Sequence, residues 1–294
     1  MKENLNVDIP SAAAEFESLI NKVYPKRFFY KLLLRGKGLE FDGYRQFSSD
    51  EDSQLIDWKA SVRANSLVAK QYIEERDIKT FFLVDVSDNM IFGSQKKLKC
   101  EYAAELSAAF ARTLLNGGDR VGFILFNHQF IKITLPERGS NTFDIFSNEL
   151  SNAENYGGYC DIKAILEELL DVLNPSISFL VLVSDFVQVN ATCKELLERI
   201  GSVVETIAII VKDPLDELLP DLNKELIIEN PNTGEKLIVN PSLAKKSYEF
   251  YTQQQESALK DIFEDSNIDC LKLMTSEDFS PPLVLFLKNR AERR

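Results

Sequence analysis

The chain has 294 residues, 45% of them hydrophobic, enough to bury a large core as one large domain or two. Its 34 Lys and Arg stand against 46 Asp and Glu, a net charge of −12, which excludes nucleic acid and anionic membrane surfaces as main partners because both need clustered cations. The cysteines at 100, 160, 193 and 270 form no Cys-x-x-Cys pair, no apolar run reaches the roughly 18 residues of a membrane helix, and Met1 to Pro10 does not read as a signal peptide, so a cytoplasmic protein with reduced thiols is expected.

Ser11 is placed to cap a helix whose stripe, Phe16, Leu19, Ile20 and Val23, is interrupted at Pro25, before a basic, aromatic stretch to Arg35. Residues 36–77 carry Gly36, Gly38 and Gly43, a polar run from Ser48 to Ser53, and strand-like pieces such as Ser66 to Ile73. Together, residues 1–77 are expected to form a small appendage on a larger domain spanning 78–294. From Thr80 onward apolar strands alternate with helical patterns: strand 80–84, helix 96–116 closed by Asn116-Gly117-Gly118, and strand Val121 to Phe126. Asn127-His128-Gln129 reads as a hairpin turn into a half-exposed strand, Phe130 to Leu135. Helices at 142–152 and 161–173, strand 178–183, helix 191–200 and strand 203–211 follow. The rhythm is broken by a hairpin at 225–240 around Asn230-Pro231-Asn232-Thr233-Gly234, then resumes with helix 242–265, strand 268–273 and a last helix opened by Pro281-Pro282. Alternation of this kind implies an α/β fold with a doubly wound, mostly parallel sheet and one antiparallel edge strand.

Two of the strands end in acids. Phe81-Phe82-Leu83-Val84 runs into Asp85-Val86-Ser87-Asp88-Asn89, and Phe179 to Val183 runs into Ser184-Asp185. Open α/β sheets bind ligands in the crevice outside the carboxyl ends of their strands. Asp-x-Ser-x-Asn sets short oxygen donors two residues apart, and hard oxygens suit Mg²⁺, which takes one or two carboxylates and keeps several waters. The pattern resembles the metal-ion-dependent adhesion site of von Willebrand factor A domains, where a bound metal captures a partner's carboxylate.

Longer motifs narrow this further. Gly36-Lys37-Gly38-Leu39-Glu40-Phe41-Asp42-Gly43-Tyr44-Arg45, Ile56-Asp57-Trp58-Lys59-Ala60-Ser61-Val62-Arg63 and Tyr72 to Asp77 resemble the signature of domain-of-unknown-function family 58. Asp85-Val86-Ser87 through Phe92-Gly93, Asp213-Pro214-Leu215, Asn232 to Glu235 and Thr275 to Phe279 fit as well. The resemblance implies a von Willebrand factor A-like fold and a partnership with MoxR-type AAA+ ATPases in chaperone-like maturation of other complexes. Many members carry membrane helices at the start; no such helix is read here.

The adhesion-site pattern is degenerate. Asp85 and Ser87 match the family's Asp-x-Ser-x-Ser, with Asn89 in the last place, and Asp185 matches the acid after the fourth strand. Gly157-Gly158-Tyr159-Cys160-Asp161 stands where Gly-Gly-Thr-Asp is usual, so Cys160 holds the threonine position and brings a soft sulfur, a poor partner for Mg²⁺. The implied metal set is Asp85, Ser87, Asn89 and Asp185, holding Mg²⁺ weakly, while Asp161 is an N-cap first and a ligand second. The reading is a non-enzymatic adaptor that binds a protein at this face and works with a MoxR-type AAA+ ATPase on a client protein. A metal-dependent hydrolase using Asp85 and Asp185, or a structural subunit with a dead site, stays open as an alternative. His128, the sole histidine, is read as a solvated turn residue, Trp58 as packing, and Asp216-Glu217 as a solvated face.

Overall fold

A computed structural model describes residues 5–23, 40–48, 56–73, 78–220, 224–229 and 235–292. Along the chain lie α1 (Ile9–Val23), β1 (Glu40–Gln46), α2 (Trp58–Ala64), β2 (Val68–Ile73), β3 (Lys79–Asp85), α3 (Lys99–Gly117), β4 (Arg120–Phe126) and β5 (Phe130–Glu137). There follow α4 (Ser140–Ser151), α5 (Ile162–Val172), β6 (Phe179–Ser184), α6 (Lys194–Val203), β7 (Glu205–Lys212) and α7 (Pro214–Glu217). The last are β8 (Leu226–Glu229), β9 (Lys236–Val239), α8 (Pro241–Asp265), β10 (Asp269–Met274) and α9 (Ser280–Glu292). The expectations for Pro25, Gly36, Gly38, most of the polar run before Ser53, and the turn at 230–234 lie outside the described residues.

The apolar runs became the middle of one six-stranded sheet, in the order β10-β7-β6-β3-β4-β5, parallel throughout except for β5. Counted from β3, this is the doubly wound order 3-2-1-4-5-6, whose switch point falls between β3 and β6. Both faces of these strands are covered, which is why they read as continuous apolar runs and not as alternation. Phe82, Val84, Phe123, Leu125, Val181 and Val183 face a core shared with α1, α3, α4 and α9. Their neighbours Phe81, Leu83, Ile124, Phe126, Leu180 and Leu182 face the opposite core, closed by α5, α6 and α8. β5, at the edge, is half-exposed, as its alternation indicated.

Several expectations need correction. The first helix is not part of an appendage: α1 belongs with the main unit, which takes in everything from Ile78 onward, and only residues 35–77 form a separate small unit. Phe16 packs edge-on against Phe110 of α3, with ring centroids 6.2 Å apart, and lies 6.3 Å from Phe279. Buried carboxylates on α3 hold the entry to α1, since Glu101 accepts the N–H of Asn6 (2.6 Å) and Glu105 that of Asp8 (2.6 Å). An amphipathic stripe shows that a helix packs, but not on which unit. The cap is Asp8, whose carboxylate accepts the Ser11 N–H at 3.2 Å, so Ser11 is already inside the helix. α3 starts at Lys99, not at 96, because residues 93–98 are tied down as a loop. Gly118, at φ 95°, ends it in the left-handed conformation that glycine adopts without strain.

In the small unit, β1 and β2 pair antiparallel with a register shift between Phe41 and Gly43. Asp57 caps α2 by accepting the Ala60 N–H (3.0 Å), and the Ser61 hydroxyl accepts the Val68 N–H (2.9 Å), tying the helix to β2. Trp58, expected in packing, is 64% exposed at the first position of this seven-residue helix, whose buried residue is Ser61. The inserted hairpin is present as β8 and β9, antiparallel from Leu226–Val239 to Glu229–Lys236.

Candidate functional site: the crevice between β3 and β6

β3 and β6 lie side by side and parallel, and their helices depart to opposite faces, α3 to one core and α6 to the other. That divergence opens a crevice at their carboxyl ends. β3 ends on Asp85 and β6 on Ser184, so Asp85, Ser184 and Asp185 meet there, all buried.

The two acids have different partners. Asp85 accepts the Ser87 N–H at 2.9 Å on one oxygen and the Ser184 hydroxyl at 2.6 Å on the other, and Cys160 Sγ stands 4.0 Å from that second oxygen. Burial and the neighbouring charge of Asp185 push the Asp85 carboxyl up to about 6, against the pull of the Ser184 hydrogen bond. Asp185 accepts the Val187 N–H at 3.1 Å and the ammonium of Lys99 at 2.8 Å. Burial works against its charge, yet the cations of Lys99 and Lys212 hold its carboxyl below the usual range. Lys99, whose side chain is 3% exposed, also pairs with Asp216 at 3.1 Å. The same Asp216 oxygen accepts the Asp213 N–H at 2.9 Å and so closes the cap of α7.

The surrounding loops are stitched to one another. Gly157 donates its N–H to Val86 O and Asp88 donates to Gly158 O, both at 2.8 Å, while the Asn127 side chain donates to Gly157 O at 2.8 Å. Gly158 has φ 85°, which favours glycine, and a Cβ there would stand 2.8 Å from Asn127 Nδ2, pressing on the amide that donates to Gly157 O. On the far side, buried Asp213 accepts the Ser94 N–H (2.8 Å), the Ser94 hydroxyl (2.6 Å) and the Thr275 hydroxyl (3.0 Å). Burial opposes its charge, but these donors keep its carboxyl below the usual range. Around the buried acids, Ile91, Phe92, Tyr159 and Val187 are exposed, giving an apolar rim over a polar floor.

Of the residues singled out in the sequence, Asp85, Ser87, Cys160 and Asp185 come together, and Asn89 lies in the 3-10 turn 88–90 that follows them. Asp161 is an N-cap, accepting the Ala164 N–H at 3.1 Å. His128 is not simply solvated: it stacks on Tyr159 with ring centroids 4.4 Å apart. Lys99, Ser184, Asp213 and Asp216 were missed as site residues. The available signal for Lys99 was a lysine opening a helix, where the dipole disfavours a cation.

These residues do not fit a bound divalent ion as they stand. Asp185 is committed to an ammonium, Asp85 accepts the Ser184 hydroxyl and the Ser87 N–H, and the Cys160 thiol stands 4.0 Å from the second Asp85 oxygen. Burial, together with Asp85 and Asp185, pushes the Cys160 thiol upward, so it remains a thiol and not the thiolate a soft metal would need.

Residues 43–258 match the family described as "Protein of unknown function DUF58". Over 265 residues the chain is 23% identical to an uncharacterized protein of Mycobacterium tuberculosis strain H37Rv, covering 88% of this chain and 81% of that relative. An uncharacterized protein of Mycobacterium bovis matches to the same extent. Among solved structures, the conserved hypothetical protein BatB from Bacteroides thetaiotaomicron superimposes with a TM-score of 0.51 at 12% identity, over 73% of this chain and 99% of that one. The likeness to BatB, with the strand order and the single antiparallel edge, fixes the fold as von Willebrand factor A-like. The chain belongs to the DUF58 family.

Proposed function

We propose that this protein is a non-enzymatic adaptor that binds a protein partner at the crevice between β3 and β6, and that the partner is a MoxR-type AAA+ ATPase acting on a client protein. The observation that carries this is an exposed apolar rim, Ile91, Phe92, Tyr159 and Val187, around acids already satisfied from within. Such a rim suits protein contact, in which apolar and aromatic side chains exclude water. The same arrangement argues against hydrolysis. A general base or nucleophile must reach a substrate with its reacting atom free, whereas Asp85 and Asp185 spend their oxygens on internal donors. His128 makes no hydrogen bond to either acid among the described residues. The ATPase as partner rests on the family resemblance.

Affinity capture with the whole protein as bait, with and without Mg²⁺, is the test. Recovery of a MoxR-type AAA+ ATPase by the native chain, and its loss with Ile91→Asp and Val187→Asp, is the expected result. Capture that excludes that ATPase, or measurable turnover of phosphoesters abolished by Asp85→Asn, would overturn the adaptor reading.

A further inference from the structure

We infer that Lys99 is the built-in cation of this crevice, doing for its acids what a divalent ion does in adhesion sites of this fold, and that the crevice stays metal-free in the presence of Mg²⁺. Lysine is among the residues least often buried, and burial disfavours its charge. Position 99 adds a second cost, since the amino end of α3 repels a cation. An ammonium persists there because two acids face it, Asp185 at 2.8 Å from the loop after β6 and Asp216 at 3.1 Å from α7. Side chains on a helix tilt toward its amino end, which aims this one back into the crevice. The Lys99 backbone is fixed as well, its N–H donating to Phe92 O at 2.8 Å, with the ammonium 5.7 Å from the Phe92 ring centre.

Lys99 and a divalent ion exclude each other. Asp185 already accepts an ammonium on one oxygen and the Val187 N–H on the other, and a second cation beside that ammonium would be repelled strongly in a water-poor site. Mg²⁺ also needs near-octahedral oxygens at short range and gives up its waters reluctantly. Displacing Lys99 from Asp185 would leave a buried ammonium with Asp216 as its one remaining acid partner of the two. This differs from weakening by poor ligands. If Cys160 and Asn89 were the cause, better ligands would restore binding; with Lys99 in place, they will not.

The test needs no partner, so it is independent of the adaptor reading; the probes are Mg²⁺ and Mn²⁺ alone, on the whole protein. Thermal unfolding of the native chain should coincide in EDTA and in excess Mg²⁺, and Mn²⁺ titration followed by electron paramagnetic resonance should show no saturable site. Cys160→Thr with Asn89→Ser should remain equally silent. Lys99→Met removes the charge at similar length and takes from Asp185 and Asp216 the ammonium they share. It should gain Mn²⁺ affinity of at least about tenfold and an unfolding temperature raised by metal. If Lys99→Met folds only when Mn²⁺ is added, the same gain is read as folding. Saturable metal binding by the native chain, restored binding in Cys160→Thr with Asn89→Ser, or a Lys99→Met protein indifferent to Mn²⁺ would each overturn the inference.

Discussion

The ends of β3 and β6 look alike in sequence and differ in state. Each is an apolar strand that runs into an acid at the same end of the sheet, and both acids are buried. At β6 an ammonium meets the carboxylate and holds it ionised; at β3 the acid receives a hydroxyl, a backbone N–H and a distant thiol but no cation's hydrogen bond among the described residues, and burial pushes its carboxyl up to about 6. Lys99, 86 residues away in sequence, supplies the paired cation, and Lys212 adds a second positive charge. Acids at strand ends locate a crevice, but what occupies it is decided by residues brought in from elsewhere.

The largest effect should come from removing that cation. Lys99→Met in metal-free solution leaves buried Asp185 without its paired ammonium, and should cost about 3–5 kcal/mol in denaturant unfolding. A loss under about 1 kcal/mol would mean that the pair is not the main compensation of the β6 acid. Next is the anchor on the far side of the crevice. Asp213→Ala strands the Ser94 and Leu215 N–H groups and two hydroxyls, and should cost on the order of 2–4 kcal/mol. Faster amide exchange at 93–98, read by mass spectrometry, should accompany it.

The third prediction separates the two acids by pH. A carboxyl near 3.9 in the unfolded chain and about 6 in the fold binds its proton more tightly when folded, so its contribution is full below about pH 4 and is lost as pH rises through about 6. Asp185, held low, has the opposite sign: it contributes above the unfolded value and loses that contribution as pH falls. Asp85→Asn keeps an acceptor for the Ser87 N–H and stays neutral. It should abolish the decline in stability between about pH 4 and 6 and be more stable than the native protein at pH 7 by roughly 2 kcal/mol. An unchanged pH profile would show that the β3 acid carries no burial penalty. The smallest effect concerns Cys160. Its thiol, buried beside Asp85 and pushed upward, should resist iodoacetamide at pH 8 in the folded protein and react only on unfolding, as read by mass spectrometry.

Most of the sheet was legible because its strands are buried on both faces and therefore continuous in hydrophobicity, and because the acids at 85 and 185 break those runs abruptly. Gly118 and Asp161 announced the end of α3 and the start of α5 through local chemistry alone. What could not be read was non-local. Lys99 looks like a surface residue until Asp185 and Asp216 fold against it, and Asp216 looks like half of a solvated acidic pair until Lys99 arrives. α1 declared its apolar face through Phe16 and Ile20, but its partner, Phe110 of α3, lies far along the chain. Arg290 shows the same effect at the opposite end of the sheet. Instead of simply closing α9, it is 4% exposed and pairs with Glu205 and Asp269, where β7 and β10 begin.

The crevice as contact face is tested most directly by amide hydrogen exchange of the whole protein, alone and saturated with the MoxR-type ATPase. Slowed exchange is expected at 87–93, 157–161 and 186–190, the three loops that carry the apolar rim, with the amino ends of β7 and β10 unchanged. Protection confined to the β8–β9 hairpin or to the small unit at 35–77, with the crevice loops exchanging as in the free protein, would contradict it.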